Sequence, residues 1–185
     1  YLREREQGKY HKMNFGETQA AWGQGPILAS PLNMARVASI VANRGKLVPT
    51  RYVLAAGGKE GNDLESKEII SVESAEILKS YMQLESDKHR RNGRSLPMAD
   101  KGSRMGGKTG TPERVLSSKL WRSPKIPEKS NDAWYMFFIE SETQKAPLAV
   151  AVRLERTENL NSGKAVQFVA DVVIPVLNAA GYKVR

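Results

Sequence analysis

Apolar positions along the chain recur with one period in some segments and another elsewhere, and each period implies an element. In "SPLNMARVASIVANRG", Leu32, Met34, Ala38 and Val41 return at helical spacing. Ser30 is placed to cap, Pro31 suits the first helical position and Gly45 ends the run, so a buried helix is expected there with Met34, Ala38 and Val41 in the core. A short extended piece, "KLVPTRYVL", follows, and then a turn around Gly57, Gly58 and Gly61. A second helix is expected from Ser71 to about Leu84, with Ile77, Leu78, Tyr81 and Met82 on one side. From Ser86 to Arg104 the chain is polar and basic without a period, which predicts a long exposed loop.

Further on, "AWYMFFIE" and "LAVAVRLE" are rich in aromatic and β-branched residues and are separated only by "SETQKAP". Such a linker closes an antiparallel hairpin and is too short for a parallel crossover. Trp134, Tyr135, Phe137 and Phe138 are read as core packing. The last apolar segment places Val166, Val169, Val173, Val176 and Ala180 on one helical stripe, with Pro175 kinking it and Gly181 capping it. The polar opening through Gln19 predicts a loop with little regular structure.

Composition narrows the class. With 185 residues, 40% of them apolar, the chain suits a single domain spanning 1–185 with a real core. An excess of 29 Lys and Arg over 20 Asp and Glu leaves +9 at neutral pH, so nucleic acid, anionic lipid and anionic cell-wall polymer all come into consideration as partners. There is no cysteine, which excludes a disulfide framework and a thiolate nucleophile. No apolar run reaches the ~20 residues of a membrane span. A chain that opens on Tyr1 is expected to be a piece of a longer protein.

The stretch "KGSRMGGKTGTPER", Lys101 to Arg114, carries the candidate chemistry and admits two readings. From Gly102 to Thr109 it satisfies the phosphate-loop pattern G-x-x-x-x-G-K-T. That loop needs a buried strand before it and a helix directly after it, to aim backbone N–H groups and the helix dipole at phosphate. Upstream lies "NGRSLPMADK", which is no apolar strand, and downstream Gly110 and Pro112 oppose a helix. The alternative is a strand on the rim of a cleft, with Lys, Thr and Gly of "KTG" facing a substrate. Gly106, Gly107 and Gly110 fit a strand that another chain must approach closely.

"GGKTGTPE" followed by "DAWYMFFIE", and preceded by "WGQGPILASPLNMARVASIVANRGKLVPTRYV", resembles the C-terminal part of the transpeptidase domain of penicillin-binding proteins, leaning to the class B type. The resemblance is carried by Trp22 to Val53, Met105 to Pro112, and Ala133 with Trp134, in the family's order. It implies an α+β fold, an antiparallel sheet of at least three strands flanked by helices, the C-terminal part of a β-lactamase/transpeptidase-like fold. It implies a peptidoglycan D,D-transpeptidase in which a serine attacks the penultimate D-Ala of a stem peptide. Lys108 would then bring positive charge to the substrate's carboxylate and the active-site network. Thr109 and Thr111 would donate hydroxyl hydrogen bonds to that carboxylate. The Thr111 N–H would form half of the oxyanion hole, and Gly110 would keep the strand bare. Implied partners are stem peptides, β-lactam antibiotics and a membrane glycosyltransferase of the parent protein. No cofactor, metal or nucleic acid is implied, and the place of action is the periplasmic or extracytoplasmic side of the membrane, with an N-terminal anchor.

The family's S-x-x-K and S-x-N or Y-x-N motifs begin at no Ser or Tyr of this chain. Ser130, Asn131 and Asp132 are a scrambled echo placed after the Lys-Thr-Gly strand. The chain is therefore expected to be inactive alone, its serine lying in the parent. A noncatalytic wall-binding or scaffold module, and a β-lactamase or β-lactam sensor of the same fold, stay open as alternatives. The edge at Ala149 to Leu154 is expected to be open and to support dimerisation in isolation. His11 and His89 are read as exposed and without a role, the basic loops as solvated, and Trp121 as a residue that could cap the cleft.

Overall fold

The computed structural model of the chain describes residues 23, 28–50, 55–56, 59–60, 65–97, 103–115, 129–141, 147–155 and 161–182. The expectations for the opening segment, His11, Gly57, Gly58, Gly61 and Trp121 lie outside these residues.

Helix α1, Pro31–Ala42, begins where Ser30 caps it: the Asn33 N–H donates to Ser30 Oγ at 3.2 Å. Ala38, Val41 and Ala42 are buried, whereas Met34 is only half-buried and Leu32 is exposed. The chain leaves α1 through Gly45 at φ +87°, where a Cβ would stand 2.2 Å from the Ile70 carbonyl oxygen. Only glycine fits, because the conformation and the close approach both exclude a side chain. Strands β1, Lys46–Leu47, and β4, Lys67–Glu68, then pair antiparallel, and β2, Ala55–Ala56, pairs with β3, Lys59–Glu60. Of the described residues of the expected extended piece, 46–50, the first two are in regular strand.

Helix α2, Val72–Arg91, runs well past Leu84 and replaces the first part of the expected loop. Two facts extend it: Asp87 and Arg90 stand at helical spacing as an ion pair, with Glu85 and His89 in contact one turn apart, and Ser86 is drawn into the interior. Its inward stripe is Ala75, Lys79, Met82 and Ser86, while Ile77, Leu78 and Tyr81 are exposed. A hydrophobic count favours the wrong side because two positions on the true stripe are polar and each finds a partner. After α2, Asn92, Gly93 and Ser95 are exposed as expected, whereas Leu96 and Pro97 are buried, Leu96 in the core beneath the sheet.

The main sheet has the order β5-β8-β9, all antiparallel, with β5 Ser103–Gly110, β8 Ala133–Ser141 and β9 Leu148–Leu154. Beside it, β6, Glu113–Val115, pairs with β7, Lys129–Asn131. Strand alternation sorts residues to two faces. One face carries Met105, Tyr135, Phe137 and Ile139, buried against Ala165, Val166, Val169 and Ile174 of the C-terminal helix. The other carries Phe138 and Met136, packed on Val41, Ala42 and Met82. Tyr135, Phe137, Phe138 and Ile139 are fully buried, each stabilising by roughly 1.5–3 kcal/mol relative to exposure. Trp134, expected in the core, is half-buried.

The C-terminal helix consists of α3, Ser162–Phe168, a π turn, Val169–Val173, and α4, Ile174–Ala179. The π turn fits an extra residue into one turn just ahead of Pro175, which cannot donate to the ladder. This shifts the buried stripe by one position, so Ile174 is buried and Leu177 packs on the core while Val176 and Ala180 face solvent. Gly181 ends the helix, with the Tyr182 N–H donating to the Leu177 carbonyl at 3.0 Å.

Candidate functional site

The Lys-Thr-Gly sequence occupies the last three residues of β5, in register with β8: Lys108 opposite Met136, Thr109 opposite Tyr135, Gly110 opposite Trp134. Two glycines just before it determine how closely the layers meet. A Cβ on Gly106 would lie 2.4 Å from the Phe138 ring, and one on Gly107 would lie 2.4 Å from the Tyr135 hydroxyl. The strand therefore lets aromatic rings pack across it at distances no other residue permits. At Gly110 a Cβ would meet Trp134 Cβ at 3.5 Å, an ordinary contact, so its bareness is not a packing requirement.

Lys108 is exposed, and its ammonium donates to the Thr109 carbonyl at 2.9 Å. Thr109 projects from the opposite face, where its hydroxyl donates to Glu85 Oε1 at 3.4 Å. Just past the strand, Thr111 Oγ1 accepts from the Ser162 N–H at 3.2 Å, which ties the strand's end to the start of α3. A cation, two hydroxyls and a bare backbone position thus stand in succession at one end of the sheet. The Thr109 hydroxyl can donate to a carboxylate on its own face, Lys108 supplies positive charge from the other, and Gly110 leaves room for a chain alongside.

The margin of β5 is not an open rim. Helix α2 crosses it: Lys79 and Met82 reach one face, where Lys79 Nζ lies 2.6 Å from Glu140 Oε1, and Glu85, Ser86 and His89 reach the other. The sequence points to neither Glu85 nor Ser86, and it places His89 in solvent, because the helix is expected to end before them. The Glu85, Ser86 and His89 spacing becomes a signal once the helix continues.

His89 is not exposed: its side chain retains 16% accessibility and stands edge-on to Tyr135 at 6.0 Å between ring centroids. Its Nε2 is buried without a well-formed hydrogen bond, in a long contact of 3.4 Å with Glu85 Oε1. Burial lowers its pKa below the ordinary 6.5, Glu85 opposes this, and the neighbouring Lys88 and Arg94 add to the lowering. The Tyr135 hydroxyl lies 3.0 Å from Ser86 Oγ, and burial pushes its pKa up to about 12.

Asp132 and its neighbours make a structural clamp. The buried Asp132 carboxylate accepts from Arg153 Nε at 2.9 Å and Nη2 at 2.7 Å, and the guanidinium lies 5.6 Å from the centre of the Trp134 ring. Ser130 and Asn131 lie on β7, paired with β6 rather than with the Lys-Thr-Gly strand. Among the described residues no group of three or more His, Asp or Glu converges to hold a metal ion, and no helix is long and apolar enough to cross a membrane.

Residues 2–173 match the family model of the penicillin binding protein transpeptidase domain. No curated protein matches the chain. Among solved structures, the chain is similar to a peptidoglycan synthetase from Bifidobacterium adolescentis, with a TM-score of 0.58 at 16% identity. That likeness covers 85% of this chain and 28% of the other, and concerns the fold.

Proposed function

The chain belongs to the penicillin-binding protein transpeptidase family, and on that premise we propose that it supplies the substrate-binding strand of a peptidoglycan D,D-transpeptidase whose serine lies outside residues 1–185. A role in peptidoglycan synthesis, on the extracytoplasmic cell wall, follows from the family. The substrate, the chemistry and the partners are our reading.

In that reading the parent's serine attacks the carbonyl of the penultimate D-Ala of a stem peptide. The terminal D-Ala leaves, and an amine of a neighbouring stem resolves the acyl-enzyme into a crosslink. Lys108 offsets the charge of the terminal carboxylate, and Thr109 and Thr111 donate hydroxyls to it. The Thr111 N–H faces the oxyanion together with the N–H of the serine, where removal of one donor typically costs about 10²–10³ in rate. Gly110 leaves the strand free for the acyl chain to lie beside it. A β-lactam would be held by the same groups and trapped at the acyl stage.

One arrangement supports this: Lys108, Thr109, Gly110 and Thr111 follow one another at the end of a strand whose register is pinned by packed aromatic rings. Against it stands the absence of S-x-x-K from the chain, which favours as a second reading a noncatalytic wall-binding module. Fluorescent penicillin separates the two. Labelling of the parent protein, with none of this chain alone and none of a Lys108→Ala parent, is the expected result. A parent that stays unlabelled would leave the module, and covalent labelling of this chain by itself would overturn the assignment of the serine to the parent.

A further inference from the structure

The hydroxyl of Thr109 is already engaged by a carboxylate of the protein's own. Glu85 Oε1 lies 3.4 Å from Thr109 Oγ1 and also 3.4 Å from His89 Nε2, so one oxygen stands between two potential donors. We propose that Glu85 is a specificity-determining residue, an internal competitor that holds the Thr109 hydroxyl against an anionic ligand, and that proton uptake by His89 draws Glu85 away and releases it. This rests on the reading of β5 as a carboxylate-binding strand.

The geometry has three parts. First, a ligand carboxylate at Thr109 would meet the Glu85 carboxylate at the same hydroxyl, which can donate only one hydrogen bond. Two like charges would then share a partly buried site, at a cost that rises as water is excluded. Second, His89 Nε2 is buried and makes no well-formed hydrogen bond, lying 3.4 Å from the very oxygen that Thr109 uses. A neutral imidazole gives that oxygen little reason to leave the hydroxyl. An imidazolium would bind it by a charge-assisted contact, which is roughly twice as strong as a neutral one. Third, both distances are at the long end, so a small rotation of the Glu85 side chain decides which partner it serves.

The groups facing this pair set the direction of the pH response. On α2 these are Lys88 and Arg90, and beyond its end Arg94, which is held by Gln167 of α3. From β8 comes Tyr135, neutral and bonded to Ser86. From β5 comes Thr109 itself. Lys88 and Arg94, with burial, keep the proton off His89, so Glu85 holds Thr109 at neutral pH and lets it go only as pH falls below 6.5.

Nuclear magnetic resonance of the 185-residue chain tests the couple, using a diacetyl-Lys-D-Ala-D-Ala peptide as probe and its C-terminal amide as control. In the wild type the Thr109 methyl resonance should follow the titration of the His89 ring. In Glu85→Gln, nearly isosteric and uncharged, the methyl should cease to follow it, and His89→Gln should abolish the shift. Glu85→Gln should bind the peptide acid roughly tenfold more tightly than wild type at neutral pH, with no change for the amide. A Thr109 methyl indifferent to His89 would overturn the coupling. Equal affinity of wild type and Glu85→Gln for the acid would overturn the competition. If neither chain binds the acid, the competition falls together with the carboxylate-binding reading of β5, and a persisting methyl titration distinguishes that case from failure of the Glu85–His89 couple. Penicillin labelling of the parent tests the enzyme reading separately.

Discussion

At Tyr135 a phenol is wholly buried, with its hydroxyl 3.0 Å from Ser86 Oγ and its ring beneath Gly107. Because burial raises its pKa from 10 to about 12, the folded state keeps this proton where the unfolded chain would lose it. Stability from this group is present below pH 10 and is lost as pH rises through 12. A rise from 10 to about 12 corresponds to about 2–3 kcal/mol. We expect urea denaturation of the wild type to show that loss, and Tyr135→Phe to escape most of it. At neutral pH the variant should be less stable by about 1–2 kcal/mol, since Ser86 is then buried without its partner; Ser86→Ala added to it should recover part of the difference. Residues of this kind are only half legible in a sequence. The apolar character of Tyr135 is evident from its neighbours, but its bond to Ser86 joins positions 49 apart.

Helix α2 shows the same division at the level of an element. Its start is local: Ser71 Oγ accepts from the Ser74 N–H at 3.2 Å, and Ser71→Ala should cost about 1 kcal/mol by thermal or urea unfolding, with Ser71→Asn near wild type. Its end is not local. The turns from Glu85 to Arg91 lack apolar periodicity and persist because Ser86, Glu85 and His89 meet Tyr135 and Thr109. A change that broke these contacts, such as Tyr135→Phe, should raise amide exchange between His89 and Arg91 while leaving Val72 to Lys79 protected. The C-terminal helix adds a second case. Its apolar residues predict a helix, yet the π turn at Val169–Val173 reassigns the buried stripe from Val176 to Ile174 and Leu177.

For the whole molecule, the described sheet pairs β9 on one side only. A strand with a free ladder can recruit a second copy, while +9 of net charge opposes it by self-repulsion. We expect light scattering of this chain to show a mass that grows with concentration and grows further with added salt. A monomer mass at high concentration in both conditions would count against strand pairing.

The three strands of the main sheet, the first helix and the Lys-Thr-Gly stretch were legible in the sequence, because alternation, helical spacing, capping residues and glycine act over a few neighbouring positions. The family resemblance came from the same short segments, and residues 2–173 bear it out. What only tertiary structure decided is where polar residues find partners across the chain. It carried α2 past its apolar pattern and over the margin of β5, buried a histidine that composition would leave in solvent, and set Glu85 against Thr109. Hydrogen bonds and ion pairs between distant positions leave no period in a sequence, since their energy depends on exclusion of water, and that is settled only when the layers close.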